Sequence, residues 1–276
     1  MPGLNSRGLA SHLIGRAVLE ASARLLGEHA IPVMPLKGIW LQQFVYADPS
    51  ERTITDVDVI VPDWLYARAV DVLGEAGWER RGGNVAETAL RSPDWPLPLD
   101  LHRELFARSG YRMPSSELFA RGQVDENAYG APVVSPDPRD VFAHLVGHFV
   151  KSRGGRDSRS HEPRDLPALA ARFGLEPAAT ARHLERCGLA RASRYALQCV
   201  PDSFDPAGFC RATSAALTPD RIGDACARSM LALREYASAE SGWAMLPGFV
   251  LERSLPRGVV IAALRAFDRA RETSDS

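Results

Sequence analysis

The residues of this chain best suited to chemistry are the paired carboxylates of Asp56 and Asp58. Residues 53–61 are rich in β-branched side chains and alternate at their centre, which predicts a strand. Alternation places both carboxylates on one face of that strand and the valines on the other. Neighbouring carboxylates repel unless a cation compensates them, and protein-bound Mg²⁺ commonly takes one or two carboxylates together with substrate phosphates. We therefore predict that Asp56 and Asp58 hold a divalent ion, Mg²⁺ or Mn²⁺.

A third carboxylate, Asp100, lies in residues 97–102, where apolar and polar residues alternate again and predict a second strand. Asp100 and His102 share one face of that strand, and two leucines occupy the other. Chemistry at phosphorus favours two metal ions, and the second ion needs a further carboxylate from a neighbouring strand. We expect Asp100 to complete the metal site and to be the best candidate for a general base.

Lys37 and Gly38 lie upstream, where a short strand is predicted to pass into a helix over residues 38–46. A glycine lets backbone N–H groups approach a phosphate, and the N-terminus of a helix favours an anion. Lys37 would add a point charge for the β- or γ-phosphate. Only two of the 33 basic residues are lysines, and the presence of one of them here gives modest support to a functional role for Lys37. The alternative is an ordinary surface turn.

Other polar residues give weaker signals. His144 and His148 are four residues apart on a predicted helix, but Leu145 stands where a zinc-binding HExxH motif has its glutamate, so a zinc site is not favoured. Residues 151–165 contain several arginines around a glycine pair. That segment fits either a solvated loop or a loop that closes over substrates and selects the acceptor.

The composition is that of an ordinary globular protein, with 45% hydrophobic and 24% charged residues. A formal net charge of −1 gives no overall attraction to nucleic acid or to a membrane surface. No apolar run reaches the roughly 18–20 residues of a membrane span, and no signal-like segment is apparent. We expect a cytoplasmic protein without a membrane partner.

The fold class predicted from these patterns is α/β (α+β): a small mixed sheet after an N-terminal helix, followed by a helical C-terminal domain. The helix over residues 8–29 carries apolar positions that include Leu9 and Leu13. Gly82-Gly83 predicts a turn, followed by a less regular stretch before the second strand. From residue 136 the sequence is mostly helical, so we expect domains at 1–135 and 136–276.

Several positions resemble one known family. They are Leu36-Lys37-Gly38, Leu41, Tyr46, Arg52 followed by Asp56-x-Asp58, Gly77-Trp78 and Leu99-Asp100-Leu101-His102. In this pattern the chain is similar to a bacterial nucleotidyltransferase family that is still described as uncharacterised, within the polymerase-beta-like nucleotidyltransferase superfamily. The similarity covers residues 33–106 and, more loosely, 136–175.

The resemblance implies transfer of a nucleoside monophosphate from an NTP, the co-substrate, to an acceptor with release of pyrophosphate. It also implies that Asp56, Asp58 and Asp100 bind the metal ions and that Lys37, Gly38 and Arg52 face the triphosphate. Where the superfamily usually has a Gly-Ser pair, this chain has Lys-Gly, as in the toxin-type abortive-infection nucleotidyltransferases.

Two alternatives to this hypothesis stay open: a toxin-like enzyme that modifies tRNA, and a non-catalytic nucleotide-binding module. The near-zero net charge favours a small molecule, peptide or protein over RNA as acceptor. The sequence selects neither the base of the NTP nor an oligomeric state.

Overall fold

The structure is a computed structural model that describes residues 6–106, 110–151 and 161–236. Its elements are α1 (Ser6–Glu28), β1 (Met34–Pro35), α2 (Lys37–Phe44), β2 (Val57–Ile60), α3 (Tyr66–Glu75), β3 (Glu79–Asn84), β4 (Glu87–Arg91), β5 (Pro98–His102), α4 (Ser115–Arg121), β6 (Gln123–Asp125), β7 (Val133–Ser135), α5 (Pro138–Lys151), α6 (Glu162–Phe173), α7 (Pro177–Arg186), α8 (Ala190–Gln198), α9 (Phe209–Ala216) and α10 (Arg221–Tyr236). Most of the arginine-rich loop predicted within 151–165 lies outside the described residues.

The main sheet has five strands in the order β1-β2-β5-β4-β3. β2 and β5 run parallel, and the other neighbours pair antiparallel. β6 and β7 form a separate antiparallel pair. The predicted α+β class with a small mixed sheet is therefore confirmed, and the described part of the chain after residue 136 is helical as expected.

β2 is shorter than the sequence predicts. It covers only Val57–Ile60, so Asp56 precedes the strand and does not share its regular alternation. Because Val57 pairs with Leu99, the residue opposite Asp56 in this register is Pro98, which has no N–H to donate to the ladder.

One face of the sheet packs against helices. Val57 and Val59 of β2 are fully buried in a cluster with Leu99 and Leu101 of β5. The same cluster contains residues of α1 and α3, namely Val18, Leu19, Leu26, Ala69, Val72 and Leu73. Burying each such aliphatic side chain stabilises the fold by roughly 1.5–3 kcal/mol, so this core fixes which face of the two strands is left for polar residues.

The buried face of α1 differs from the predicted one. Leu9 and Leu13 are 38% and 59% exposed. The buried stripe instead includes small residues such as Ser11 and Gly15. A Cβ at Gly15 would lie 2.6 Å from Cδ1 of Ile54, so the helix lies too close to its neighbours for larger side chains. The same stripe buries Val18, Leu19 and Leu26, so close approach at Gly15 and hydrophobic packing together decide the orientation of this helix.

The predicted glycine turn is also wrong. Gly82 and Gly83 lie inside β3, and the chain reverses at Val85 and Ala86 instead. Gly83 has φ +137°, and a Cβ there would collide with the carbonyl of Glu87, so the glycine permits β4 to pair closely. The stretch that was expected to be irregular thus contains a full strand.

The chain divides into two compact units, Met1–Ala107 with Met113–Val141 and Arg108–Arg112 with Phe142–Ser276, and the division falls within α5. Inside the second unit the core includes Phe149, Leu169, Leu184 and Tyr195. Of the helices in the described ranges, none is both long enough and apolar enough to cross a membrane.

Candidate active site

Asp58 and Asp100 are neighbours across the parallel pair of strands. Asp58 of β2 lies opposite Asp100 of β5 in the register of the sheet. Residues paired in this way point to the same side, which is the side opposite the buried valines and leucines. The strands predicted to carry the carboxylates are therefore adjacent, and both side chains lie on one face.

Two further side chains share this face because of the same register. Ile60 pairs with His102, and His102 pairs with Glu87 of β4. We call the side of the sheet that carries Asp58, Asp100, His102 and Glu87 the carboxylate face.

Asp58 is the most tightly held member of the carboxylate face. Its side chain is 5% exposed. Its Oδ1 accepts a hydrogen bond from Nζ of Lys37 at 2.6 Å and faces Nε2 of His102 at 2.9 Å. A carboxylate buried to this degree is stabilised only when it is paired and hydrogen-bonded, and both conditions are met here.

The charges around Asp58 favour its ionised form. Burial alone would raise the pKa of Asp58, but Lys37 and His102 together hold that pKa far below its usual range. Burial would likewise lower the pKa of Lys37, and the charge and hydrogen bond of Asp58 raise it instead. The two residues form an ion pair at neutral pH.

Asp100 behaves in the opposite way. Burial, followed by the negative charges of Asp58 and Asp56, raises the pKa of Asp100 to about 6. Glu87 adds to the rise, while His102 acts against it. A carboxylate with a raised pKa is a better proton acceptor than an ordinary one, which suits a general base.

Asp56 lies within electrostatic reach of the same residues although it precedes β2. It contributes to the raised pKa of Asp100 and to the raised pKa of Lys37. The structure therefore brings all three predicted carboxylates into one charged neighbourhood, with Asp56 at the end of the strand and the other two on it.

Lys37 opens α2 with an unusual backbone. Its φ is +42°, in the left-handed region that costs a residue other than glycine about 1–3 kcal/mol. The preceding Leu36 donates its backbone N–H to the carbonyl of Asp58 at 2.9 Å. The ends of β1 and α2 are thus anchored to β2, and the strained turn aims the lysine side chain at Asp58.

Gly38 has a role that the sequence does not reveal. A Cβ at this position would lie 2.5 Å from Nη1 of Arg52 and 2.5 Å from Cγ2 of Ile54. Arg52 is 8% exposed, and its carbonyl accepts a hydrogen bond from Nε2 of Gln42. In this structure, then, the glycine makes room for Arg52 and Ile54 at the start of α2.

Sequence reasoning missed Glu87 altogether. It lies on β4, the strand hidden behind the misplaced glycine turn, and its Oε2 is 3.3 Å from Nδ1 of His102. Residues 87–91 do not alternate between polar and apolar types, so no local pattern indicated this strand.

The carboxylate face fits a divalent cation. Its possible metal ligands are mostly carboxylate oxygens, which Mg²⁺ and Mn²⁺ prefer. Acidic groups outnumber basic ones there, and their charges add to the effect of burial in raising the pKa of Asp100. A bound cation would relieve the repulsion between Asp100 and its neighbours.

Comparison with known proteins gives matches at the level of a family and of solved structures. The sequence model of a family described as "Uncharacterised nucleotidyltransferase" matches residues 16–205. The solution structure of the antibiotic-resistance factor ANT(2'')-Ia is similar with a TM-score of 0.44 and 13% identity, over 67% of this chain and 94% of that one.

A crystal structure of an antigenic nucleotidyltransferase-like protein from Paracoccidioides brasiliensis is similar with a TM-score of 0.39 and 15% identity, over 58% of this chain and 77% of that one. No curated protein sequence matches the chain. The family match covers more than half of the 276 residues and includes Lys37, Asp58, Glu87 and Asp100, and the chain therefore belongs to the uncharacterised nucleotidyltransferase family.

Proposed function

We propose that the protein is a metal-dependent enzyme that transfers a nucleoside monophosphate from an NTP to an acceptor and releases pyrophosphate. The observation that carries the proposal is the pairing of Asp58 with Asp100 on one sheet face, with Asp56 in electrostatic reach. Family membership gives the nucleotidyltransferase class. The excess of carboxylates supports the dependence on Mg²⁺ or Mn²⁺.

The chain's own residues have distinct roles in this proposal. Asp56, Asp58 and Asp100 would hold the metal, which when bound supplies neutralisation of phosphate charge and alignment of the triphosphate. Lys37 and Gly38, at the start of α2, and Arg52, which packs beside Gly38, would lie on the phosphate side of the site. Because Lys37 is already paired with Asp58, its positive charge is kept close to the metal-binding carboxylate.

The reaction itself needs one proton acceptor. A lone pair of the acceptor group forms a bond to the α-phosphorus, and the bond from that phosphorus to the bridging oxygen breaks. Pyrophosphate leaves with the electron pair of the broken bond. Asp100 takes the proton of the acceptor, because a carboxylate that shares the metal must lie close to the acceptor group. Positioning of the two substrates would supply much of the rate.

The proposal is tested first by binding. Calorimetry with Mg²⁺ and α,β-methylene-ATP should show nucleotide binding to the full chain that depends on the metal. Asp58→Asn and Asp100→Asn should each abolish it. Asp71→Asn, an exposed aspartate on α3, is the matched control and should bind normally. Equal binding by the wild type and by both site variants would overturn the proposal.

Transfer is tested with α-³²P-labelled NTPs of the four bases against pools of small molecules, peptides, proteins and tRNA. Label should move from the α-phosphate to one pool, and γ-³²P-labelled NTPs should transfer none. Transfer to tRNA alone would favour the toxin-like alternative. Metal-dependent binding without transfer to any pool would favour a non-catalytic nucleotide-binding module.

We also propose a division of labour along the chain, with 1–135 binding metal and nucleotide and 136–276 selecting the acceptor. The support is that every proposed metal and phosphate residue lies before residue 103. Replacing Arg153, Arg156 and Arg159 together in the full chain should impair transfer while nucleotide affinity stays within about twofold. Collapse of nucleotide affinity in that variant would contradict the division.

A further inference from the structure

His102 lies between two carboxylates, and each of its ring nitrogens faces one of them. Nε2 is 2.9 Å from Oδ1 of Asp58, and Nδ1 is 3.3 Å from Oε2 of Glu87. The histidine side chain is only 6% exposed, so protein groups and not solvent set its orientation. A histidine fixed from behind by a carboxylate is a common device for orienting the groups at a metal site.

Glu87 is held at both of its oxygens. Oε1 accepts a hydrogen bond from Nδ2 of Asn84 at 2.8 Å, while Oε2 faces His102. Asn84 is fixed in turn, because its Oδ1 accepts from the backbone N–H of Ala86 at 2.8 Å. With a partner at each oxygen, the carboxylate is arranged to orient the histidine.

Asp58 receives both of its side-chain donors on the same oxygen. Nζ of Lys37 and Nε2 of His102 both approach Oδ1. Within residues 6–106, 110–151 and 161–236, no side-chain or backbone donor is found at Oδ2. Two donors on one oxygen fix the plane of the carboxylate and leave the other oxygen to a cation.

From these contacts we infer that His102 and Glu87 are positioning residues for the metal ligand Asp58. Glu87 orients the ring of His102, and His102 acts with Lys37 to hold Oδ1 so that Oδ2 is presented to the metal. The inference rests on the proposed function, because it takes Asp58 to be a ligand. It predicts that both residues change metal affinity without touching the metal.

The test is the affinity of the full chain for Mn²⁺ alone, measured from the signal of free Mn²⁺ by electron paramagnetic resonance. His102→Ala should weaken binding about 10–100-fold, which is the usual effect of removing a group that orients a ligand. His102→Gln keeps an N–H donor beside Asp58 and should recover part of the loss. Circular dichroism of each variant checks that it is folded.

Glu87→Gln gives the sharper test, because its side chain is 36% exposed and the change keeps its size. It should weaken Mn²⁺ binding about tenfold in the wild-type background and have no further effect in the His102→Ala background, since its action passes through the histidine. Glu79→Gln, an exposed glutamate of β3 that pairs with Arg81, is the matched control and should leave affinity unchanged.

The outcomes separate this inference from the proposed function. If Asp58→Asn abolishes Mn²⁺ binding while the variants at positions 102 and 87 bind normally, the inference is wrong and the metal site stands. If Glu87→Gln keeps its full effect in the His102→Ala background, Glu87 acts on the metal directly and the positioning role is overturned. If the wild-type chain does not bind Mn²⁺, the inference and the metal-dependent function are both wrong.

Discussion

Asp58 and Asp100 are neighbours on one face of the sheet, yet their surroundings have opposite effects on their charge. Asp58 is paired with Lys37 and lies beside His102, so it stays ionised, whereas burial and the charges of neighbouring carboxylates raise the pKa of Asp100. In the metal-free protein Asp58 is therefore held ionised, while Asp100 exchanges a proton near pH 6. Two acids with separated pKa values are the pattern expected where they have different roles in a reaction.

Breaking the ion pair of Asp58 should destabilise the metal-free protein. Lys37→Met keeps the length of the side chain and the strained backbone but leaves a buried carboxylate with one donor fewer. We expect a loss of about 3 kcal/mol in the free energy of unfolding by urea at pH 7 with EDTA. Lys151→Met, the same change at an exposed lysine, should cost less than about 0.5 kcal/mol.

The pH dependence of that loss follows from the two pKa shifts. The lowered pKa of Asp58 gives stability that is present above its usual value of 3.8 and is lost as the pH falls through the folded value. The raised pKa of Lys37 gives stability that is present below 10.5 and is lost as the pH rises through the folded value. The difference between wild type and Lys37→Met should therefore be largest from about pH 5 to 9 and shrink in acid. A constant difference down to pH 2 would contradict the ion-pair account.

Asp100→Asn should stabilise the metal-free protein. Between pH 3.8 and about 6 the folded chain holds a proton on Asp100 that the unfolded chain releases, so stability falls as the pH rises through this window. Removing the charge should add about 1–2 kcal/mol at pH 7.5, after allowance for partial exposure, and nothing below pH 4. Urea unfolding in EDTA at the two pH values measures this. A destabilised variant at pH 7.5 would show that the charge of Asp100 is favourable in the fold.

At the scale of elements, the sequence predicts the two strands that matter most and their adjacency. Apolar and polar residues alternate clearly in β2 and β5 because one face of each strand is apolar, and this pattern can be read from the sequence alone. The sequence does not predict that Lys37 pairs with Asp58, because Lys37 reaches that carboxylate only through the strained turn at the start of α2. The repulsion between carboxylates that the sequence predicts is therefore offset at Asp58 by Lys37. At Asp100 it adds to the effect of burial and raises the pKa.

β4 and the face of α1 could not be predicted for a different reason. Gly82 and Gly83 have the composition of a turn, but a β-bulge places them inside β3, and only the pairing of the whole hairpin decides this. In α1 the close approach to Ile54 places the small residue Gly15 in the buried stripe and leaves Leu9 and Leu13 exposed. Both are packing effects between elements, which local patterns do not contain.

The packing of α2 against Arg52 gives a prediction at this scale. Gly38→Ala would place a methyl group 2.5 Å from Nη1 of Arg52 and from Cγ2 of Ile54, and should cost about 1–3 kcal/mol of unfolding free energy. Gly74→Ala on α3 is the matched control, because nothing lies within 4 Å of its Cβ, and it should gain up to about 1 kcal/mol. Thermal unfolding of both variants decides the matter, and equal melting temperatures would refute the close packing.

For the whole molecule, the question is which of the two compact units binds the nucleotide. The proposed metal and phosphate residues all lie in the unit that contains the mixed sheet. The first backbone N–H groups of α2 have no acceptor within their own helix, and Leu36 supplies no side-chain cap, so a phosphate could accept from them.

Hydrogen exchange of the full chain should therefore slow in the presence of Mg²⁺ and α,β-methylene-ATP at the start of α2, especially at Gly38 and Ile39. A ligand at 100 times its dissociation constant stabilises the state it binds by about 2.7 kcal/mol, which corresponds to roughly a hundredfold slower exchange through opening of that unit. Amides of α7, α8 and α9 should exchange at unchanged rates, because no proposed nucleotide contact lies there. Asp58→Asn with the same ligands is the control and should show no slowing anywhere.

Equal slowing in α2 and in α7–α9 would assign the nucleotide to both units and contradict the separation of nucleotide binding from acceptor choice. Slowing confined to α7–α9 would place the nucleotide away from the carboxylate face and exclude Asp58 and Asp100 as its metal ligands.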